Sequence, residues 1–269
     1  MSWAAVKTEA IVLSVHPSRE ADRQYRALTP HHGKVEFLGR GAQKGKAKLA
    51  AHLEPFAVVD LEIIRGRRST TIISVERKRA FRSIATDLDK RLLAQASLAL
   101  LDRYTFADSE EGALYEELMR WMDFLESSPP PKPARSTFLL GGFLLRCLNH
   151  LGYDVQLLTC VSCKDDVVPL SYRWHAGKGG LVCTDCIQKN PEEWFSARSL
   201  QEEIVKLMRF SRDSAYGELL RPALRGGEVE EFAKLVQDLL FYHLPSRAEI
   251  PFWTGVLADY ALDIPAASV

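Results

Sequence analysis

The stretch "FAVVDLEIIR", residues 56–65, decides the interpretation of the N-terminal third of the chain. In it Val59, Leu61 and Ile63 alternate with acidic residues. Successive side chains of a β-strand point to opposite faces, so this alternation predicts a strand with one buried and one solvated face. The stretch therefore indicates a sheet that packs on a core with one side.

Four further stretches around it also have the composition of short strands. They are rich in β-branched or aromatic residues and are separated by turn residues. They are TEAIVLSV (8–15), RQYRALT (23–29), KVEFLGR (34–40) and TTIISVE (70–76). Five short strands within about 70 residues favour a small closed barrel, either an OB-fold, which binds single strands, or an SH3-like barrel. Tyr25 and Phe37 could offer ring faces to bases, but their alternation favours the core.

After residue 80 the apolar period becomes helical. Thr86 and Asp89 resemble a capping pair, and Ser109 precedes two glutamates that favour a second helix start. The apolar stripes of these two helices are Leu88, Leu92, Ala96 and Leu100, then Leu114, Leu118, Met122 and Leu125. The segment "SSPPPKP", residues 127–133, then breaks the chain.

Three more helices are predicted beyond this break. One covers residues 136–150, and Ser199 with Glu202 opens another that runs to about Phe210. The last carries Phe232, Leu235, Val236, Leu239 and Leu240. Residues 157–190 fit neither period and are interpreted as an insertion, so the fold class is α+β.

Four of the five cysteines form two C-x-x-C pairs separated by 19 residues. They are Cys160, Cys163, Cys183 and Cys186. This spacing predicts a structural zinc site of four thiolates with no position open for water, while an iron–sulfur cluster or redox use remain alternatives. His175, between the pairs, could replace one ligand. Cys147 falls in an apolar helix and is expected in the core.

The net charge of zero conceals two halves of opposite sign. Residues 1–80 carry 15 Lys and Arg against 8 Asp and Glu, a net of +7, which leaves −7 for the rest. The basic half is the candidate for a polyanion partner. No apolar run approaches the about 20 residues of a membrane span, and no signal peptide is recognisable, so we expect a cytoplasmic protein without a membrane partner.

The basic charge concentrates in one loop. No acid occurs between Glu36 and Glu54. The bases of this interval are Arg40, Lys44, Lys46 and Lys48. It is not a nucleotide-binding P-loop, because Arg40 stands where glycine is required and Ala47 where magnesium needs a hydroxyl. Two interpretations of the loop remain: it binds the phosphate backbone of DNA, or it is a solvated surface loop.

No catalytic constellation is recognisable. Asp165-Asp166 and Glu192-Glu193 are adjacent pairs of the kind usual on a solvated surface, and no histidine has an evident Ser or Cys partner. We therefore expect a protein without enzymatic activity, although active sites assembled in space, such as that of a nuclease, leave no such trace.

The stretch "TPHHGKVEFLGRGAQKGKAKLAAHLEPF", residues 29–56, contains a glycine-lysine turn, a strand, a basic loop and a closing Leu-x-Pro-Phe. In these motifs the sequence resembles the bacterial RecO recombination-mediator family, and "FYHLPSR" (241–247) is similar to that family's last helix. Gln43 and Ala47 depart from the frequent Arg and Ser, and Glu54 from a frequent Gln. The tail after residue 247 lies outside the pattern.

The resemblance implies a fold of successive modules. They are an OB barrel (1–80), a helical domain in two parts (81–156 and 191–247) with a zinc-ribbon-like insertion (157–190), and a C-terminal tail (248–269). It also implies a DNA repair and recombination mediator that binds single- and double-stranded DNA and anneals complementary strands. With RecR, such a protein loads RecA onto DNA coated by single-strand-binding protein in the nucleoid.

The bases of the N-terminal half give this role its predicted contacts. The expected DNA-binding residues are Lys34, Arg40, Lys44, Lys46, Lys48, Arg67 and Arg68, with Arg65 beside them. A groove for the acidic, apolar-ended tail of single-strand-binding protein is sought where Lys132, Arg135 and Arg146 flank Phe138, Leu139 and Phe143. The alternative function is an RNA- or ribosome-binding factor with the same barrel and zinc element.

Overall fold

The computed structural model describes residues 5–18, 20–43, 50–66, 70–106 and 112–244. The chain forms two compact units, residues 1–129 and 130–269. The division falls in the predicted proline-rich break, so the first helices group with the strands. The domain boundaries at residues 80, 156 and 190 divide the chain differently, and they stay a prediction.

The first unit contains a closed five-stranded barrel of the predicted OB type. Its strand order is β1-β2-β3-β5-β4, and β4 returns to pair with β1. The pairing of β3 with β5 is parallel and the others are antiparallel. The strands are β1 (Ala5–Pro17), β2 (Arg23–Thr29), β3 (Gly33–Gly39), β4 (Val58–Arg65) and β5 (Thr70–Arg79). All five predicted strands are confirmed.

The apolar side chains on one face of β4 fill the interior of the barrel. Val59, Leu61 and Ile63 are fully buried in the core, whereas the acidic residues between them reach the surface. Tyr25 and Phe37 pair across β2 and β3, and their rings stack with centroids 5.5 Å apart inside the core. The core interpretation of these two aromatic residues is therefore confirmed.

In the part of the first unit that the structure describes, three α-helices follow the barrel strands. They are α1 (Arg82–Thr86), α2 (Leu88–Tyr104) and α3 (Gly112–Ser127). The predicted cap of α2 is wrong by one residue, because Asp87 accepts from the Lys90 N–H at 3.0 Å while Thr86 bonds back to Arg82. Leu88 consequently lies at the helix start and is 56% exposed, unlike the rest of its predicted stripe.

The second unit packs three long helices against each other. They are α4 (Pro133–His150), α6 (Glu202–Asp213) and α7 (Gly226–His243), with the short α5 (Thr184–Lys189) between them in the chain. Helix α4 packs against both α6 and α7. The predicted Ser199 cap is wrong, because Gln201 occupies the cap position and Glu202 accepts the Tyr172 hydroxyl.

The insertion between α4 and α6 is a small hairpin. Strands β6 (Tyr172–His175) and β7 (Gly180–Cys183) pair antiparallel, joined by a 3-10 turn over Ala176–Lys178. Gly179 ends that turn with φ +71°, a backbone conformation that glycine adopts without strain. The hairpin leads directly into α5. Among the helices of the described residues, none is long and apolar enough to cross a membrane.

Candidate nucleic-acid interface and metal centre

Three connections of the barrel leave from the same end. The start of β2 lies beside the end of β3, because Arg23 pairs with Gly39. The end of β3 lies beside the start of β5, where Leu38 pairs with Thr71. The connection from β4 to β5 belongs to this end too, since Arg65 pairs with Thr70. We call this the basic end of the barrel, defined by Arg23, Arg40 and Arg65.

The start of the basic loop is fixed to the β1–β2 turn. The Gly41 N–H donates to an Asp22 carboxylate oxygen at 2.8 Å, and the Gln43 N–H donates to the Ala21 carbonyl at 3.0 Å. The Gln43 side-chain amide donates to the Asp22 carbonyl at 2.8 Å. Gln43 therefore holds the start of the loop against the β1–β2 turn.

Arg40 is the residue of the predicted DNA-binding set that the structure places at the basic end. It directly follows β3 and is exposed. Lys44, Lys46 and Lys48 of the same loop lie outside the described residues, as do Arg67 and Arg68 of the β4–β5 connection. Their predicted contacts with phosphate stay a prediction.

Lys34 occupies a different environment from Arg40. Its ammonium group lies 3.5 Å from an Asp102 carboxylate oxygen and also donates to the Asp102 carbonyl, and both side chains are 11% exposed. Releasing this ammonium to a phosphate would break its ion pair with Asp102 and its hydrogen bond to the Asp102 carbonyl. The structure therefore places Lys34 in a link between β3 and α2, away from the exposed bases.

Asp102 is a residue that sequence reasoning missed. Its carboxylate also accepts from the Ser14 hydroxyl at 2.8 Å and from Arg26 at 3.3 Å. Asp102 of α2 thus accepts from β1 and β2 through its carboxylate and from Lys34 of β3 through its backbone carbonyl. The partners lie 68 to 88 residues away along the chain, so no local pattern could have indicated them.

The four predicted cysteines come together in the second unit. Their sulfur atoms all lie within 4.8 Å of one another, and those of Cys163 and Cys183 are 3.9 Å apart. A tetrahedral zinc site with Zn–S bonds of about 2.3 Å separates its sulfurs by about 3.8 Å, whereas a disulfide needs about 2.05 Å. The cluster could hold a metal ion.

Each cysteine pair lies in a turn that directs its sulfurs inward. After the first pair, Lys164 adopts a positive φ of 67° and its N–H donates to the Cys160 carbonyl at 3.0 Å. In the second pair, Cys183 ends β7 and caps α5, and Cys186 lies in the first turn of that helix. The turn of the first pair is joined to the hairpin by the Val161 N–H, which donates to the Leu181 carbonyl at 2.8 Å.

The environment of Cys160 suits a thiolate. Burial of Cys160 raises the pKa of the thiol, but backbone N–H groups, among them those of Cys183 and Ser162 at 3.3 and 3.4 Å from the sulfur, outweigh it and lower the pKa to about 7. A thiolate is the form that binds a metal ion. Cys160 is therefore the member of the donor set that its hydrogen bonds favour as a metal-binding thiolate.

His175 does not belong to this cluster, so its alternative role as a ligand is wrong. Its Nδ1 accepts the Lys178 N–H at 3.1 Å, which leaves the proton on Nε2, 3.0 Å from the Ser196 hydroxyl. A protonated Nε2 donates to that hydroxyl and cannot take its proton. The pair is therefore not a nucleophile with its base.

The groove predicted on α4 is wrong. Phe138, Leu139 and Phe143 are at most 1% exposed, because α4 packs on two other long helices. Arg135 donates to the carbonyls of Leu219 and Pro222, and Arg146 donates to Ser211 and Ser214. These bases serve the packing of the second unit. Cys147 is buried in the same helix, as predicted.

Two family models match the chain in succession. Residues 1–81 match the model described as "Recombination protein O N terminal", and residues 85–248 match "Recombination protein O C terminal". The border between the two models lies near the predicted domain boundary at residue 80.

Curated relatives extend over most of the chain. "DNA repair protein RecO" of Caldanaerobacter subterraneus is 27% identical over 89% of this chain and 93% of its own length. The protein of the same name from Anaeromyxobacter sp. strain K is 28% identical over 90% and 92%, and that from Cutibacterium acnes is 29% identical over 67% and 73%. Because the chain matches both family models in order and is similar to relatives over nearly their full length, it belongs to the recombination protein O (RecO) family, whose role lies in DNA repair and recombination.

Proposed function

We propose that this protein binds single- and double-stranded DNA through the basic end of its barrel and anneals complementary strands without catalysing a chemical reaction. The observation that carries the proposal is the convergence of three connections at that end. Strand pairing brings Arg23 and Arg65 to the same end as Gly39, which Arg40 follows. The loop bases Lys44, Lys46 and Lys48 and the pair Arg67 and Arg68 follow in sequence from these positions.

Bases at such an end suit contact with phosphates rather than with base edges. Arg40 emerges from the barrel between two glycines, where its exposed guanidinium is suited to phosphate oxygens. OB-folds bind single strands in a positively charged groove, with affinity that depends strongly on salt. Annealing additionally requires that the repulsion between two polyanions be screened, which a cluster of cations can do. Lys34 is left out of the proposed contacts because Asp102 holds its ammonium group.

The family relation supports the cellular part of the proposal. In this role the protein acts with RecR to load RecA onto DNA that single-strand-binding protein covers, in the nucleoid of the cytoplasm. The core packing of α4 leaves its Phe138 face unavailable to these proteins.

We further propose that the four cysteines hold one structural Zn²⁺. Four thiolates complete a tetrahedral shell, so the metal would stabilise the hairpin rather than activate water. Metal analysis should find about one zinc per chain, and Cys183→Ser should lose it. Cys147→Ser is the matched control because that cysteine lies outside the cluster, and it should retain the metal. Full zinc in Cys183→Ser would overturn the assignment.

A strand-annealing assay tests the proposed function. Complementary labelled oligonucleotides are mixed with protein and without nucleotide, and duplex formation is followed over time. The wild type should accelerate annealing, and the double variant Lys44→Ala/Lys46→Ala should lose most of the acceleration. Lys206→Ala/Lys234→Ala, which removes the same charge from exposed positions of α6 and α7, should behave as wild type. Equal losses in both double variants would exclude the loop as the site.

A further inference from the structure

The four cysteines of the cluster differ in their access to solvent. Cys160 and Cys186 are 0% and 8% exposed and pack with Val182, Trp194 and Ala197 in a small core. Cys183 is half-buried, and Cys163 is exposed at the tip of its turn. One edge of the cluster is therefore open to small solutes, while its inner edge is sealed.

The two outer sulfurs are also close to each other. Cys163 Sγ and Cys183 Sγ lie 3.9 Å apart, the first in the turn that precedes the hairpin and the second at the end of β7. Oxidation of cysteine follows thiolate character and exposure, and it stops at a reversible disulfide when a second thiol is within reach. Metal ligation keeps these thiols in the thiolate form, so exposure decides which sulfur reacts first.

We propose that Cys163 and Cys183 form a peroxide-sensitive pair whose oxidation releases the metal. The proposal rests on the zinc site proposed above. The Cys163 thiolate attacks one oxygen of hydrogen peroxide, forming an S–O bond and breaking the O–O bond, and the departing hydroxide takes a proton to give water. The Cys183 thiolate then attacks the Cys163 sulfur, and the expelled hydroxide takes a second proton. The two sulfurs lose two electrons, peroxide gains them, and the products are one disulfide and two waters.

The consequence for the fold follows from the buried residues. Cys160 and Cys186 alone offer two of the four thiolates, too few for a closed tetrahedral shell. Their small core includes Trp194, which is 4% exposed, so loosening of the hairpin would change the environment of this indole. The zinc element would thus be folded in the reduced protein and loosened after oxidation.

The experiment treats the purified full-length chain with hydrogen peroxide in the presence of a chromogenic zinc chelator. We expect release of about one zinc per chain, a matching change in tryptophan fluorescence, and a Cys163–Cys183 disulfide in the peptide map. Thiol reductant with added Zn²⁺ should restore the original fluorescence. Cys147→Ser should respond as wild type, because it keeps all four cluster thiols.

The possible outcomes separate the two proposals. Untreated protein without zinc would refute the metal assignment, whereas zinc that stays bound while peroxide oxidises no cysteine would refute the oxidation proposal alone. A disulfide within one pair, Cys160–Cys163 or Cys183–Cys186, would contradict the assignment of the outer sulfurs. Oxidation confined to Cys147 would do so as well.

Discussion

Asp102 gathers polar groups of three strands on one carboxylate. It accepts from Ser14 and Arg26 and faces the Lys34 ammonium at 3.5 Å. Removing a charge from a partly buried pair costs more than the pair contributes, because the partner is left without compensation. A residue without any sequence signal thus fixes α2 to the barrel.

The variant Asp102→Asn should lower the free energy of unfolding by about 2 kcal/mol, since Lys34 and Asp102 are each 11% exposed. Asp60→Asn is the control, because its partner Lys78 is 45% exposed and such pairs contribute less than about 1 kcal/mol. Urea unfolding measures both variants. Equal losses would mean that Asp102 acts as an ordinary surface residue.

Glu9 makes the first unit sensitive to acid. A hydrogen bond from Lys78 lowers the pKa of Glu9 below its ordinary value of 4.5, against the effect of burial, and the Tyr115 hydroxyl at 2.8 Å lowers it further. A carboxylate with a lowered pKa in the folded state contributes stability above its unfolded pKa and loses it as the pH falls through the folded pKa.

Glu9→Gln should therefore destabilise the protein at pH 7 and have little effect on stability well below pH 4.5. Urea midpoints of wild type and variant at the two pH values give the comparison. Tyr115→Phe should reproduce part of the loss at pH 7, because it removes one of the two donors. A loss of the same size at both pH values would contradict this account of Glu9.

At the scale of the helices, Gly141 sets the approach of α4 to α7. A Cβ atom there would lie within 2.9 Å of Cζ of Phe232, which is fully buried. Gly227, in the first turn of α7, has nothing within 4 Å of such an atom. Each of the two glycines belongs to a Gly-Gly pair in a helix, but only Gly141 has a side chain packed against it.

Gly141→Ala should destabilise the second unit by about 1–3 kcal/mol, as overpacking of a core does. Gly227→Ala should instead be neutral or stabilising by up to about 1 kcal/mol, because alanine favours the helix. Thermal unfolding of the two variants decides. A neutral Gly141→Ala would show that the ring of Phe232 can move aside.

The sequence predicts the strands and long helices well because their apolar periods follow from packing. Val59, Leu61 and Ile63 must share one face of a strand, and Phe232 to Leu240 one face of a helix. Helix caps are predicted poorly, since Asp87 and Thr86 have similar side chains and the local backbone chooses between them. The prediction of a groove on α4 was wrong because composition cannot distinguish a buried apolar face from an exposed one.

At the scale of the whole molecule, the metal proposal concerns the second unit. Chelation of zinc should raise amide hydrogen exchange over residues 157–197, where the cysteine turns and the Trp194 core lie, while the barrel strands keep their protection. Mass spectrometry of protein with and without chelator measures this. Unchanged exchange over the hairpin would contradict a structural role for the metal.

The cysteine cluster could be predicted at this scale and the link through Asp102 could not. Two cysteines in a C-x-x-C turn are close together whatever the rest of the fold, so the spacing of the two pairs was enough to predict the cluster. The link through Asp102 depends on how α2 lies on the barrel, which spacing does not encode. The basic end could be predicted in part. The charge of its loops is visible in the sequence, but only the strand order shows that the loops lie at the same end of the barrel.

The salt dependence of binding to single-stranded DNA tests the central claim, that the loop after β3 contacts phosphates, most directly. With most of Arg40, Lys44, Lys46 and Lys48 in contact, log affinity should fall against log salt concentration with a slope of roughly −2 to −3, from about −0.7 per phosphate. Lys44→Ala/Lys46→Ala should flatten the slope by about one unit, whereas Lys206→Ala/Lys234→Ala should leave it unchanged. A slope unaffected by the loop variant would place the DNA-binding surface elsewhere and contradict the claim.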